Sequence, residues 1–529
     1  MCGICGVFQT GGGERRPLLH PGVLDRMTDA MVHRGPNDRG TFESPGVALG
    51  VRRLSVVDVA RGHQPFSNET GEVWAIQNGE LYNHRDVRSG LASAGHDIHT
   101  ACDTEIIPHL YEEHGVDFVA RLRGMFGIAV WDDRRWRGVL VRDRLGVKPL
   151  YYAQVGDLVV FGSELKAVLA SGLVDTTLDY NAIDAYLALG FFPGSATPLE
   201  RVRKLLPGER LVVDSTGSRI DRYWAYPHAK PAAMSSEEAV EGLREQLSHS
   251  IGLRLMSDVP LGAMLSGGID SSVIVALMAE QMSSPVKTFS VGFRGRAVES
   301  ELADAQLVAR AFGCDHTELE LSLEDRSVDL EQLVWHLDEP LADLSSIGFL
   351  ALSELAAQHV TVALSGQGAD ELLGGYRRHR NVSALMRFSW MPASLLGLVP
   401  RVLGSRSPKL ARFARIVGER DAAARYLLTA QSLPRMERNE LAVGPLAAVG
   451  HDAAQRVVSD LAAGFDGNAL EQTLFLDAQL GLPDDMLHYF DRTSMAHSLE
   501  VRVPFLDHEL VEYAATIPAE LKVHDGTTK

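Results

Sequence analysis

Between Val259 and Leu265 the chain carries an apolar strand pattern that runs directly into SGGIDSS, residues 266–272, and from there into a helical pattern over Ser271 to Gln281. Further strand patterns at Val286 to Phe293 and Val360 to Leu364 are separated by helical segments, and strand, turn, helix, strand in that order specifies a parallel α/β sheet. The turn is also suited to an anion. Gly267 and Gly268 let backbone N–H groups converge, Ser266, Ser271 and Ser272 add hydroxyl donors, and the helix N-terminus contributes positive potential. Asp270 inside such a cradle repels a phosphate unless a cation intervenes, which points to Mg²⁺. The lysine of a GxxxxGK[ST] loop is missing, and taken alone the turn reads equally as a tight connection. A second polar, glycine-containing turn, Ser365-Gly366-Gln367-Gly368-Ala369-Asp370-Glu371, repeats the logic at another strand end. Two such turns at the C-terminal edge of one sheet predict a shared crevice.

That sheet cannot use the whole chain, because 529 residues exceed one core, and single cores stop growing near roughly 250 to 300 residues. Before the linker the pattern changes to short strands and turns, with apolar runs at Val73 to Ile76, Gly127 to Trp131, Val139 to Val141 and Leu158 to Phe161. Helical patterns there are confined to Val23 to Met31 and Thr104 to His114, which predicts an α+β half built on paired sheets. Tyr226 to Ser236 breaks the periodicity and reads as a linker, and Ser235 or Ser236 before Glu237 and Glu238 opens the next helix as an N-cap. The expected division is 2–225, a linker at 226–236, and 237–529, largely helical beyond Arg380.

A net charge of −18 argues against a nucleic-acid partner, which needs clustered Lys and Arg in excess. The start lacks a basic leader region and no run of about 18 apolar residues occurs, so a cytoplasmic chain with no membrane contact is expected. Four cysteines are too few for a disulfide scaffold.

Cys2 directly follows Met1, and a residue that small generally permits removal of the initiator. Its thiol would then share a residue with the chain's α-amine, whose pKa of about 7.7 to 8.0 lets it take the thiol proton. The rival reading is a Cys2–Cys5 pair for metal or redox chemistry. Positions three apart on a strand face opposite sides, and no second pair completes a zinc site.

An enzyme that releases ammonia from free glutamine needs a cation for the α-carboxylate, an anion for the α-ammonium and donors for an oxyanion. Arg53 can supply the fork, the Asn78 side chain with the Gly79 N–H the oxyanion donors, and Glu80 or Asp103 the anion. Each has a plain structural reading as well. Asn-Gly is most often a hairpin turn, Asp103 can cap a helix at Thr104, and Arg53 can be a surface charge.

Taken together, MCGICGVF, HRGPNDRG, RRLSVVD, NGELYN, CDTE and RDRLGVKPLYY resemble the class II, N-terminal-nucleophile glutamine amidotransferase domain, in the spacing found in the asparagine synthetase family. SGGIDSS is similar to the pyrophosphate loop of ATP pyrophosphatases, and LSGQGADELLGGY, DEPLAD and SLEVRVPFLD resemble the synthetase part of the same family. The resemblance implies a four-layer αββα sandwich of Ntn-hydrolase type, followed by an α/β parallel-sheet ATP-pyrophosphatase domain. It implies Cys2 as nucleophile, glutamine held by Arg53, Asn78, Gly79, Glu80 and Asp103, nucleotide contacts from Leu265, Val291, Ser365 and Gly366, and Mg²⁺ on Asp270 and Asp370. It also allows a homodimer.

Three departures stand out. Asn37 replaces the usual Asp of HRGPD; Gln367 stands where many members have a Glu tied to the aspartyl adenylate; and Lys529, a charge-stabilising residue in the family, is the last residue, so 237–529 is expected to be C-terminally incomplete. The expected reaction is glutamine hydrolysis at Cys2, internal transfer of ammonia, and attack on β-aspartyl-AMP made from aspartate and ATP, giving asparagine. The rivals are amidation of another carboxylate, lactam formation, and a decayed binding or scaffold protein. For the acceptor, Glu371, Arg492, Glu500, Arg502 and Asp507 read equally as ligands or as structural ion pairs.

Overall fold

The computed structural model describes residues 1–11, 16–228, 232–293, 299–321, 330–386, 415–416 and 418–523. Lys529 lies outside them, as do residues 229–231 of the expected linker.

The first part, among the described residues, is strand-rich: β1 (Cys2–Gln9), β2 (Asp38–Ser44), β3 (Val47–Arg53), β4 (Phe66–Ser67), β5 (Val73–Leu81), β6 (Gly124–Asp132), β7 (Arg137–Arg142), β8 (Tyr151–Val155), β9 (Leu158–Gly162), β10 (Val202–Lys204), β11 (Glu209–Asp214) and β12 (Gly217–Arg222). They pair antiparallel into two six-stranded sheets, ordered β10-β8-β9-β1-β3-β2 and β12-β11-β7-β6-β5-β4. Alternation along β1 explains how one strand serves two cores. Cys2, Ile4 and Phe8 join Leu49, Ile76, Trp131 and Leu211 between the sheets. Cys5 and Val7 face the other way, against Leu24 and Met27 of the helix Val23–Asp29. The outer face of the second sheet is covered by Ile106, Ile107 and Leu110 of the helix Ile106–His114. Each large side chain removed from water in this way contributes roughly 1.5–3 kcal/mol.

The helix Ser236–Arg254 begins as its sequence indicates, with Ser235 as N-cap and a reciprocal capping box to Glu238. After it come β13 (Leu261–Met264), β14 (Lys287–Phe293), β15 (Asp315–Leu321), β16 (Val362–Leu364) and β17 (Glu500–Arg502), all parallel in the order β15-β14-β13-β16-β17. β17 is a strand within the stretch beyond Arg380 expected to be largely helical. It is three residues long and places Glu500 and Arg502 in the interior, where Arg502 Nε donates to Glu500 Oε1 at 2.7 Å. The pairing lets a charged triplet act as a buried strand.

The two parts share one continuous core. Leu54, Val56, Val57, Tyr82, Leu145, Val147 and Phe191 from the first pack in the same cluster as Leu265, Leu364, Leu476 and Val503 from the second.

Candidate active sites

Cys2 opens β1 and is paired across the sheet with Arg53 at the end of β3. Its backbone N–H donates to Asn78 Oδ1 at 3.1 Å, and its carbonyl accepts from Arg34 Nε at 3.1 Å. Met1 is attached in this chain, so the Cys2 nitrogen is here an amide; the Met1 ammonium is buried 2.5 Å from Glu500 Oε2. Burial pushes the Cys2 thiol above its usual range, opposed by that ammonium, the Leu54 N–H and Arg53.

Asn78 and Gly79 lie inside β5, opposite Gly127 and Phe126, which rules out the hairpin-turn reading. Asn78 Nδ2 is steadied by Ser163 Oγ at 3.3 Å, and the same hydroxyl accepts the Ile4 N–H at 3.1 Å. The backbone of Phe126 is turned toward Asp143, donating to Oδ2 at 3.2 Å and accepting the Asp143 N–H at 2.8 Å. By antiparallel alternation Gly79 therefore points its N–H away from β6. On that same edge the Gln77 N–H goes to Gln64 Oε1 and the Leu81 N–H to Asp103 Oδ2, both at 2.8 Å. The Gly79 N–H between them has no partner among the described residues. Its φ of 150° and the 2.0 Å that would separate an added Cβ from Met125 O explain why glycine stands there.

Asp103 does not cap the helix that follows. It binds Gln77 Nε2 and the Leu81 N–H through Oδ2, both at 2.8 Å, and so fixes the loop to β5. Glu80 is buried with Oε2 unbonded. Burial lifts its carboxyl well above the usual range, and Asp103 and Glu500 add to this. A buried carboxylate of this kind is suited to a cation. Arg53 is not a surface charge. Nη2 donates to the carbonyls of Val57 and Asp58 at 3.0 and 2.9 Å, and Nη1 to Val59 at 3.3 Å, bracing the guanidinium beside Cys2. Asn37 accepts the Ser55 N–H at 3.0 Å through Oδ1, a role an aspartate carboxylate would fill equally.

The second group of residues collects at the C-terminal ends of β13 and β16. The chain leaves β13 toward β14 on one side while β16 adds on the other, so the strand order reverses between them. Crevices of α/β sheets open at such reversals. Ser266 to Gly268 turn into the helix Ile269–Gln281 with Gly267 at φ 76°. The turn is tied internally: Ser266 N donates to Ser271 Oγ at 3.2 Å, and Ser272 Oγ to Gly268 O at 2.7 Å. Leu265 N–H bonds Phe289 O at 2.9 Å, and Ser290 Oγ bonds Leu265 O, which sets Leu265 beside the β14 segment carrying Val291. From β16, Ser365 N–H is held by Arg502 O at 2.9 Å. Gly366 lies against the first turn so closely that an added Cβ would stand 2.9 Å from Asp270 Cβ and 3.0 Å from Ser271 N. The two turns therefore lie against each other at one edge of the sheet. Gln367 and Asp370 follow on the same loop and helix, Asp370 in the first turn of the helix Ala369–Leu373.

Of the acceptor candidates, Glu371 belongs here. It is buried, accepts from Tyr376 Oη at 2.6 Å, and burial pushes its carboxyl up to about 7. The others sit in ion pairs: Arg492 with Glu164 at 3.0 Å, Asp507 with Arg254 at 3.0 Å and Arg123 at 2.8 Å, and Glu500 with Arg502. Sequence reasoning missed Ser163, which carried no signal, and Arg34, which lay inside HRGPNDRG. Arg34 links Cys2 O to Asp491 Oδ2 at 2.7 Å and to Glu164 Oε1 at 3.0 Å.

Two family models match the chain, "Glutamine amidotransferase domain" over residues 1–224 and "Asparagine synthase" over residues 242–529. Asparagine synthetase [glutamine-hydrolyzing] 1 of Bacillus subtilis is 34% identical over 100% of this chain and 83% of that protein. The amidase chyE of Penicillium rubens is 31% identical over 99% of this chain and 83% of that protein. Among solved structures, glutamine phosphoribosylpyrophosphate amidotransferase from B. subtilis, complexed with ADP and GMP, matches at TM-score 0.33 and 15% identity, over 62% of this chain and 94% of that one. With one family model spanning more than half its length and a relative matched from end to end, the chain belongs to the asparagine synthase family.

Proposed function

We propose that this chain is a glutamine-dependent asparagine synthetase, with 2–225 as the amidotransferase, 226–236 as the linker and 237–529 as the synthetase. The two packed sheets with their outer helices then form the αββα sandwich of an Ntn hydrolase, and the parallel sheet the ATP-pyrophosphatase fold. The observation that carries the reading is the convergence on Cys2 of an unpartnered Gly79 N–H edge, the pinned Asn78 amide, Arg53 and the buried Glu80 carboxylate.

In this mechanism Met1 is removed, and the Cys2 amine takes the thiol proton. The thiolate attacks the glutamine side-chain amide, and the Gly79 N–H and the second hydrogen of Asn78 Nδ2 receive the oxyanion. Glu80 and Asp103 face the α-ammonium and Arg53 the α-carboxylate. Collapse expels ammonia, and water hydrolyses the thioester to glutamate. At the second site the Ser266–Ser272 and Ser365–Gly366 turns hold ATP, with Leu265 and Val291 beside the nucleotide. The carboxylates of Asp270 and Asp370 suit Mg²⁺ by donor type: Asp270 lies on the turn against which Gly366 packs and Asp370 in the first turn of the helix that follows Gly366, and both offer hard oxygens. Bound there, the ion would neutralise charge on the phosphates. The β-carboxylate of aspartate attacks the α-phosphorus, pyrophosphate leaves, and ammonia displaces AMP. Gln367 can orient the adenylate but cannot take a proton from it. Ammonia stays unprotonated if it crosses through the shared apolar core of Leu54, Val56, Leu145 and Val147.

A second reading, amidation of a different carboxylate, is favoured by Gln367 and by the likeness to an amidase. One experiment addresses both. Pyrophosphate release is measured with ATP, glutamine and a panel of carboxylic acids; release with aspartate is expected, and release only with another acid transfers the function to that acceptor. In Cys2→Ala, synthesis from ammonia survives while glutamine no longer supports it. Loss of both in a folded variant contradicts two separate sites.

A further inference from the structure

Away from both candidate sites, three side chains with metal-binding atoms converge from three separate segments. Glu69 lies in the connection between β4 and β5, His96 directly follows the C-cap Gly95 of the helix His84–Ala94, and His109 is on the helix Ile106–His114. Nδ1 of His96 is 3.0 Å from Glu69 Oε1 and Nδ1 of His109 is 3.2 Å from the same oxygen. All three ligand atoms fall within 4.8 Å of one another. Ligands about 2.0–2.1 Å from a tetrahedral ion stand roughly 3.3 Å apart, so the spacing suits one ion.

Two further observations point to a ligand rather than to a plain ion-pair network. His96 Nε2 is 3.1 Å from Glu113 Oε1, so that carboxylate can hold the single proton of a neutral ring on Nε2 and leave Nδ1, which otherwise hydrogen-bonds Glu69 Oε1 at 3.0 Å, to bind an ion. His109 has a side chain only 2% exposed, and its Nδ1, aimed at the same gap, makes no hydrogen bond. A buried nitrogen left in this way is explained by an ion that it would bind.

We propose that Glu69, His96 and His109 form a binding site for a divalent transition ion, with Zn²⁺ the best match. Two imidazoles with one carboxylate select zinc-like ions over Mg²⁺ or Ca²⁺, which take oxygen shells. The fourth position faces solvent on the Glu69 side, where that side chain is 32% exposed. Between His96 and His109 runs the loop that ends at Asp103, held by Glu105 through the His99 and Thr100 N–H groups at 2.8 and 2.7 Å. The ion would clip this loop to the β4–β5 turn.

The test uses the full chain, stripped with a chelator, and titrated with Zn²⁺ by calorimetry and with Co²⁺ by visible absorption. A single saturable Zn²⁺ per chain and a Co²⁺ band of four- or five-coordinate type are expected. Both should weaken by about tenfold or more in Glu69→Gln and His109→Gln, and also in Glu113→Gln, which touches only the far nitrogen of His96. Glu69→Gln is a conservative change at a partly exposed position, so it retains the fold where the histidine variant does not. Absence of saturable binding, or binding that these substitutions leave unchanged, overturns the proposal. Neither outcome bears on glutamine or ATP chemistry.

Discussion

Gly79 shows how narrow the tolerance is at the glutaminase site. A methyl group there would meet Met125 O at 2.0 Å and the Phe126 Cα at 2.7 Å, so Gly79→Ala must displace the strand edge that presents the N–H. Glutamine hydrolysis is expected to fall by about 10² or more, as for loss of an oxyanion donor, while ammonia-driven synthesis continues; equal loss of both would instead indicate misfolding. Glu371 gives a prediction of a different kind. Burial holds its carboxyl up at about 7 against the ordinary 4.5, with the Tyr376 hydroxyl opposing and the Asp477 and Asp370 charges adding. Between those values the folded chain binds more protons than the unfolded one, so this group's contribution is full below 4.5 and is lost as pH rises through 7. The loss is of order 3 kcal/mol. Glu371→Gln, which retains an acceptor for Tyr376, should raise the unfolding temperature at pH 8 and leave it nearly unchanged at pH 5. At this scale the sequence singled out residues whose chemistry is local, such as Cys2 and Asn78, which lie together with the Cys2 N–H 3.1 Å from Asn78 Oδ1. It did not disclose Ser163, whose role exists only because β9 ends beside β1, nor that Arg34 reaches an aspartate 457 positions away.

The helix Leu487–Met495 is the element on which the halves meet. Arg34 donates to both oxygens of Asp491, at 2.7 and 3.1 Å, and Lys148 Nζ adds a third contact at 3.3 Å. All three side chains are almost fully buried, and Arg34 with Lys148 holds the Asp491 carboxyl well below the usual range. Its stabilisation is therefore present above the ordinary carboxylate range and is lost as pH falls into strong acid. Asp491→Asn leaves buried Lys148 without the carboxylate it contacts and Arg34 with Glu164 alone, and a broken buried pair costs roughly 3–5 kcal/mol. The expected result is a lower unfolding temperature, with impaired glutaminase turnover because Arg34 also holds Cys2 O. Unchanged hydrolysis at a lowered melting point would limit Asp491 to a structural role. Elements with an apolar period or a cap, such as β5, β6, β13 and the helix opened by Ser235, are legible in the sequence because local chemistry defines them. β17 is not: Glu-Val-Arg is only three residues long and its alternation puts two charged side chains on a buried face, so it becomes a strand only once β16 offers an edge and Glu500 and Arg502 satisfy each other.

The joining of the halves sets the behaviour of the whole molecule. Leu54, Val56, Val57, Tyr82, Leu145, Val147 and Phe191 belong to the first 225 residues, yet they pack in one buried cluster with the core of the second part. Polar bonds cross the same boundary, including Arg123 with Asp507, Lys204 with Asp484 at 3.1 Å and Lys166 with Asp338 at 2.9 Å. Cutting at the linker would uncover a contiguous apolar face rimmed by unpaired charges, the kind of surface that drives association in water. Residues 1–225 made alone are therefore expected to aggregate or to bind a hydrophobic dye strongly, whereas co-expression with 232–529 restores a soluble complex. The intact chain should melt in a single transition, because one large buried cluster is built from residues of both halves. A soluble, dye-silent fragment 1–225 with full glutaminase activity would show that the shared core is an ordinary docking surface and that the two sites are thermodynamically separate.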